Sequence, residues 1–339
     1  MTEYMKPFSH IYVEEEAEKY NRTGRILEKF PDAEIIRIRD YRDVFNRRNQ
    51  NPELQHKSQK LILAVKKDGF LYEGAPVCQS FGERDFYYTS NIMNCIYDCE
   101  YCFLKGMYPT SNIVVFVNLE DTFEEIDRLR TEMSKDPDRR IYISISYESD
   151  MLAVEGIIGM LADWAEWVEG KDDVLLELRT KCANKKALEV LEGRDQFIPA
   201  ITMSPDEVIS KYEKFTPDLE SRIGMAEEAI AKNMPVRVCL DPMMYIRDYR
   251  NVYANMVDII FSRISPECLR DVSIGSFRIS KDYIKNFRKD YKNSSAAYFP
   301  YEIRAGYYQY PEDLRVEMEE FLYEKLLNYV PESKIFRWK

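Results

Sequence analysis

Hydrophobic and polar positions change period repeatedly along the middle of the chain, and each change marks an element. Short β-branched or aromatic runs recur at "DFYYTSN" (85–91), "RIYISIS" (140–146), "DVLLELRT" (173–180), "FIPAITMS" (197–204), "PVRVCLDPM" (235–243) and "DVSIGSFRI" (271–279). They are too short for helices and read as strands. Between them, apolar residues return every three to four positions. That period predicts helices over "MLAVEGIIGMLADWAEWVEG" (151–170), "NKKALEVLEG" (184–193), "ESRIGMAEEAIAKN" (220–233), "DYRNVYANMVDIIFSRI" (248–264) and "KDYIKNFRKDY" (281–291). Strands alternating with helices of about 10–17 residues predict βαβ units around a parallel sheet. Six units are too few for a closed eightfold barrel, so the expectation is an α/β fold built on an open, partial (β/α)6 barrel over residues 85–292.

Two additions flank that core. Residues 1–84 mix a helical stretch with the strand-like "AEIIRIR" and "KLILAVKK", an N-terminal α/β extension. Residues 293–339 begin with "NSSAAYFPYEIRAGYYQY", a tyrosine-rich β-hairpin, and continue as an amphipathic helix over about 311–330. Pro311 followed by Glu312 and Asp313 is the first turn that a helix N-terminus prefers. No internal repeat or low-complexity linker separates these parts.

Composition narrows the setting. The 339 residues suffice for a full-sized core. No apolar run approaches the roughly 18–20 residues of a membrane helix, so no membrane partner is expected. The opening "MTEYMKPFSHIYVEEEAEKY" is charged and lacks an apolar export signal, and the seven cysteines are an odd number. Both features predict reduced thiols and a cytoplasmic location. The net charge of −11 argues against a general nucleic-acid binder, but it is uneven. Residues 37–60 carry seven Lys/Arg against three acids, and residues 278–292 carry six against two, so each island is net +4. Solvated helix faces and a phosphate-binding surface both account for such islands.

Three of the seven cysteines fall within eight positions, in "SNIMNCIYDCEYCFLKG" (90–106), as Cys95-x3-Cys99-x2-Cys102. Three thiolates can hold three irons of a 4Fe–4S cluster and leave the fourth iron open. A structural zinc site needs four ligands, usually from two pairs. A fourth would have to be Cys78 or something distant, and neither His10 nor His56 is near in sequence. Zinc and chance clustering are therefore the weaker readings.

The spacing, with Tyr101 before the third cysteine, resembles the motif of the radical S-adenosylmethionine enzymes. The resemblance implies that the open iron binds S-adenosyl-L-methionine, and that one-electron reduction, by a protein such as flavodoxin or ferredoxin, releases a 5′-deoxyadenosyl radical. It also implies a partial barrel with the cluster loop after its first strand. Nearly end to end, the chain resembles the spore photoproduct lyase family, in "PFSHIYVEEEAEKY", "NCIYDCEYCFLKG", "SYESD", "LRTK", "ITMSPDEVI", "DPMMY" and "VPESKIFRW". That family repairs the 5-thyminyl-5,6-dihydrothymine lesion, which implies a DNA-repair lyase with damaged DNA as its partner. Residues matching Ser149, Lys181 and Thr202 contribute there to S-adenosylmethionine binding. Thr202 stands for the family's serine, Ser204 lies two residues on, and Asp241 matches a position near the adenine.

Bland readings stand beside these. Ser149 also suits the cap of the helix that starts near Met151. Thr202, Ser204 and Asp241 also suit plain strand ends. Lys181 closes an apolar strand, where an unpaired ammonium is costly to bury, and this favours a carboxylate partner. The chain departs from the family at two places. Its hydrogen-donating cysteine is Tyr147 here, and the tyrosine after the third cluster cysteine is Phe103, although Tyr101 remains. A phenol can donate a hydrogen atom, which makes Tyr147 and Tyr101 the candidate catalytic residues. The same change also fits a family member acting on another substrate, such as a modified nucleotide, a peptide or a small molecule. The hairpin 293–310 holds only Arg304 as a basic residue, where the family's is rich in Lys and Arg.

Overall fold

All six strands expected from the alternation are present in the computed structural model, which describes residues 8–74, 80–133 and 139–337. They are β1 Asp85–Tyr88, β2 Ile141–Ser144, β3 Val174–Thr180, β4 Phe197–Thr202, β5 Val236–Met243 and β6 Leu269–Ser276. The chain divides into two compact units: Met1–Ile96 with Tyr108–Arg179 and Lys186–Ile198, and Tyr97–Met107 with Thr180–Lys185 and Pro199–Lys339.

In the first unit β2 lies between β1 and β3, parallel to both, in a register that pairs Tyr88 with Ser144 and Ser144 with Glu177. Every residue of β2 is buried, as expected for a parallel strand covered on both faces. The two-residue strand Tyr72–Glu73 lies antiparallel to β1, with Tyr72 opposite Tyr88. A second sheet runs in the order 34–38, 10–14, 61–64, 113–116 and 92–93. Its centre is the apolar "LILA" and "IVVF", buried throughout.

The strand Ile113–Phe116 and the helix Leu119–Met133 have no counterpart in the predicted pattern. A four-residue apolar run has no period to read. The helix buries only Leu119, Thr122, Ile126 and Met133 along a narrow stripe in an otherwise charged sequence.

The helix predicted over 151–170 is two, Met151–Ile158 and Leu161–Val168. Gly159 ends the first in the left-handed region at φ 62°, where a side chain would be strained. Glu155 spans the break, its carboxylate accepting the N–H groups of Met160 and Leu161, each at 3.1 Å. Another predicted helix, over 184–193, is a 3-10 turn, Lys185–Leu191, that buries Ala187, Leu188 and Leu191.

In the second unit β5 lies between β4 and β6, parallel to both, and the C-terminal strand Ile335–Arg337 extends β6 in parallel. Arg237 on β5 and Asp271 on β6 are register partners and form a buried ion pair. The expected C-terminal helix is present at Glu312–Leu326, where Glu319 accepts the Ser276 N–H at 3.0 Å and its hydroxyl at 2.7 Å. The expected hairpin pairs Glu302–Arg304 with Tyr307–Gln309, and Arg278–Ser280 adds a third strand. Among the described residues no helix is long and apolar enough to cross a membrane.

Burial pushes the Glu155 carboxyl up to about 7, against the two N–H groups that favour its charge. An acid whose pKa rises on folding loses stability as pH climbs from the unfolded to the folded value. Unfolding free energy should therefore fall between about pH 4.5 and 7, by on the order of 1–3 kcal/mol. Glu155→Gln should flatten that slope in urea titrations. An unchanged slope would show that Glu155 is not the group responsible.

Candidate active site

The first cysteine of the motif belongs to the first unit. After the strand Ile92–Met93 the chain turns at Asn94, whose φ is 68°. Asparagine tolerates that conformation, and here its amide donates to the carbonyls of Thr110 at 2.9 Å and Asn112 at 2.8 Å. Gln59 Nε2 donates to the carbonyl of Cys95 at 2.9 Å and to that of Ser111 at 2.8 Å. The backbone carrying Cys95 is thus held from two directions.

Tyr147 and Ser149 follow β2 in the same unit. Buried Glu148 between them accepts the hydroxyls of Ser90 and of Tyr108, the latter at 2.6 Å. The Tyr147 ring lies on that of Tyr88, centroids 4.3 Å apart. Asp150, not Ser149, caps the helix Met151–Ile158, its carboxylate accepting the Ala153 N–H at 3.1 Å. The Ser149 hydroxyl is buried and has no hydrogen-bond partner among the described residues. A buried, unsatisfied hydroxyl is uncommon and calls for an explanation.

The second unit holds the rest of the motif. Asp98–Cys99 pairs antiparallel with Glu213–Lys214, Cys99 opposite Glu213. The Cys102 N–H donates to the Cys99 carbonyl at 3.1 Å, and a short helix, Leu104–Met107, follows. Lys105 pairs with Asp98 and lies 4.3 Å from the Tyr291 ring centroid. Between the cysteines, the Glu100 carboxylate accepts from the Ser294 hydroxyl at 2.8 Å, the Ser295 hydroxyl at 3.3 Å and the Ala296 N–H at 3.0 Å.

The hub of this region is Glu213. Its carboxylate accepts the hydroxyl of Tyr101, the hydroxyl of Ser204 at 2.8 Å and the guanidinium of Arg222. Arg222 also donates to the carbonyls of Thr202 at 3.1 Å and Pro217 at 3.0 Å and to the Thr216 hydroxyl at 2.8 Å. Neither Glu213 nor Arg222 side chain is exposed at all. Burial pushes the Glu213 carboxyl up, but Arg222 and Lys181 more than offset this and hold it below the usual carboxylate range. Lys181 Nζ stands 5.5 Å from the Tyr101 ring centroid. Burial pulls the Lys181 ammonium down, and Cys99 and Glu213 beside it more than compensate.

Tyr101, Lys181, Thr202 and Ser204 are therefore gathered around one buried carboxylate that the sequence pattern does not reveal. Arg222 left a trace. It occupies the buried stripe of the helix Leu219–Ala231 with Leu219, Ile223 and Ala226, where a charge requires a partner. Asp241 lies on β5, joined to Pro242 by a cis peptide, and accepts the Ser273 hydroxyl at 3.0 Å. Phe103 stacks on Tyr283. The remaining thiols are spread out: Cys182 and Cys239 are buried and Cys268 is exposed, while Cys78 lies outside the described residues.

Burial raises the Cys99 thiol to about 12 and raises that of Cys102 as well, so a metal would have to displace their protons. Among the described residues no three His, Cys, Asp or Glu side chains converge on a single ion. A four-iron cluster does not ask for that, since each thiolate takes a different iron. In the first unit the orphaned Ser149 hydroxyl is a donor suited to an oxygen acceptor, and in the second the Lys181 ammonium is a donor suited to a carboxylate. Thiolate, hydroxyl and ammonium are the donor types that an iron–sulfur cluster and S-adenosylmethionine require.

The βα series and the three-cysteine loop after its first strand define a radical S-adenosylmethionine enzyme. A profile of the family described as spore photoproduct lyase matches residues 6–338, and the chain belongs to that family. Among solved structures, spore photoproduct lyase complexed with dinucleoside spore photoproduct aligns with a TM-score of 0.81 at 17% identity, covering 98% of this chain and 99% of that one. A cysteine-to-alanine mutant of spore photoproduct lyase with the dinucleoside aligns over the same shares, with a TM-score of 0.79 at 18% identity. A double mutant with bound AdoMet and the dinucleoside gives 0.79 at 19%, again over 98% and 99%. The chain thus has the partial-barrel fold, with its N-terminal α/β extension and C-terminal hairpin and helix, that the alternation and the resemblance imply. No curated protein sequence shows a significant match.

Removing one partner of a buried ion pair strands the other charge. Glu213→Ala should therefore lower unfolding free energy by about 3–5 kcal/mol in anaerobic urea titrations. The double variant Glu213→Gln with Arg222→Met should recover part of that loss. A loss for Glu213→Ala within about 0.5 kcal/mol of zero, usual for a surface change, would show that the pair does not hold this region.

Proposed function

We propose that this protein repairs 5-thyminyl-5,6-dihydrothymine in DNA, with a 4Fe–4S cluster on Cys95, Cys99 and Cys102 and with S-adenosyl-L-methionine held by Ser149, Lys181, Thr202, Ser204 and Asp241. The observation that carries the reading is the family match over residues 6–338, supported by the Cys95-x3-Cys99-x2-Cys102 spacing and a buried Ser149 hydroxyl without a partner among the described residues. When bound and reduced, the two cofactors supply a 5′-deoxyadenosyl radical. Lys181 pairs with the cofactor carboxylate. Tyr101, its proton held by Glu213, packs beside Lys181 and keeps that end of the site dry. Tyr147 donates its phenolic hydrogen atom to the thymine radical left when the methylene bridge of the lesion breaks. The setting is cytoplasmic, with a flavodoxin or ferredoxin as electron donor.

A second reading, another substrate for the same chemistry, is favoured by Tyr147 in place of the family's cysteine. The hairpin supports it too, since Arg304 is paired there with Glu312. The basic islands speak for DNA. Lys281, Lys285, Lys289 and Lys292 are exposed on or just after one helix, and Arg39, Arg47, Arg48 and Lys57 are exposed in the first unit. Within that first island, Arg37 and Arg42 are already paired with Glu18 and Asp40.

Anaerobically reconstituted protein should hold about four irons, and the triple Cys→Ala variant should hold none. Reduced with dithionite and given the synthetic lesion dinucleotide, it should release thymine–thymine product and 5′-deoxyadenosine. Cofactor cleavage with an untouched lesion would move the substrate to the second reading. Tyr147→Phe should still cleave the cofactor but divert the substrate radical to side products, and unchanged products would make Tyr147 a packing residue.

If the lysines of 281–292 meet phosphates, duplex affinity should fall steeply with salt. Lys285→Glu with Lys289→Glu should reduce that salt slope. No duplex binding at low salt would remove DNA as the partner.

A further inference from the structure

A phenol that gives up its hydrogen atom is left as a phenoxyl radical, and another turnover requires that atom back. The rings around Tyr147 offer a route. Tyr147 lies against Tyr88 with centroids 4.3 Å apart at 31°, and Tyr88 stacks on Tyr72 at 5.1 Å and 18°. Tyr72 is 36% exposed. Three tyrosines thus run in one stack from a half-buried position to solvent. The backbone fixes the stack. Tyr88 is the register partner of Ser144 on one side, three residues before Tyr147, and of Tyr72 on the other. Gly69, at φ 62°, backs the last ring closely, since a Cβ there would meet the Tyr72 hydroxyl oxygen at 2.2 Å.

We propose that Tyr88 and Tyr72 are relay residues that return a hydrogen atom to Tyr147 from a small thiol at the protein surface. The inference rests on Tyr147 as the donor. In the first step the Tyr88 O–H bond breaks and the Tyr147 O–H bond forms, one electron and one proton moving together. In the second, Tyr72 does the same for Tyr88. In the third, the thiol S–H bond breaks, Tyr72 regains its hydrogen and a thiyl radical departs, two of which join as a disulfide. The first two steps break and form the same kind of bond, so they are close to thermoneutral. Burial pushes the Tyr72 phenol up, which keeps its proton available. Because the thiol supplies the atom, S-adenosylmethionine is consumed once per product rather than regenerated from 5′-deoxyadenosine.

Tyr→Phe separates packing from chemistry, because the ring and its stacking remain and only the transferable hydrogen is lost. The reconstituted enzyme, with cofactor and lesion dinucleotide, is reduced and freed of excess reductant. Dithiothreitol is then added as the thiol while the phenoxyl is followed by electron paramagnetic resonance. In the wild type, raising dithiothreitol should shorten the phenoxyl lifetime. Tyr88→Phe and Tyr72→Phe should each lengthen it at least tenfold and abolish the thiol dependence. A fluorinated tyrosine at position 88 should restore both. A phenoxyl that forms but decays at the wild-type rate in both Phe variants overturns the relay alone. No phenoxyl in the wild type, together with wild-type products from Tyr147→Phe, overturns the donor reading and the relay with it.

Discussion

The buried pair of Glu213 and Arg222 is the constraint on which the second unit depends. Both charges are withdrawn from water, and such a pair is favourable only when the remaining donors and acceptors are satisfied. Here they are, and the groups that satisfy them come from three stretches of the chain. Tyr101 comes from the cysteine loop, Ser204 from the residues after β4, and Thr202 and Pro217 offer backbone carbonyls. The pairing of Glu213 with Cys99 then fixes the loop strand against the same carboxylate. Three segments distant in sequence are placed by one ionic contact, and the ends of the site inherit its geometry.

The first unit repeats the device in smaller form. Glu148 collects the hydroxyls of Ser90 and Tyr108, and its neighbours in sequence are Tyr147 and Ser149. In each unit a buried carboxylate sits among the residues assigned to chemistry and accepts hydroxyls from them or from their neighbours. Where a hydroxyl escapes such capture, as at Ser149, the escape itself is informative.

Much of this was legible in the sequence. Six strands with alternating helices, the cysteine spacing and the tyrosine hairpin all follow from local patterns of period, turn chemistry and residue type. What escaped is of three kinds. "IVVF" is a strand without alternation, readable only once its sheet is known. The break at Gly159 depends on a carboxylate four residues earlier reaching over it, a tertiary detail that overrides helical period. Glu213 is one acid among many, and nothing nearby in sequence separates it from a solvated one. Its role comes from Arg222 and Tyr101, nine residues after it and 112 before it.

Glu100 has a consequence that reaches beyond packing. It lies between Cys99 and Cys102 in sequence, and its carboxylate is bonded to Ser294, Ser295 and Ala296, the segment that leads toward the hairpin. Displacing that segment lengthens three hydrogen bonds to one carboxylate at once, so loop and segment are mechanically continuous. A load placed on the hairpin is transmitted to the stretch between two cysteines instead of being lost in a slack connection. The tether makes residues 294–296 a lever arm whose fulcrum lies inside the cysteine motif.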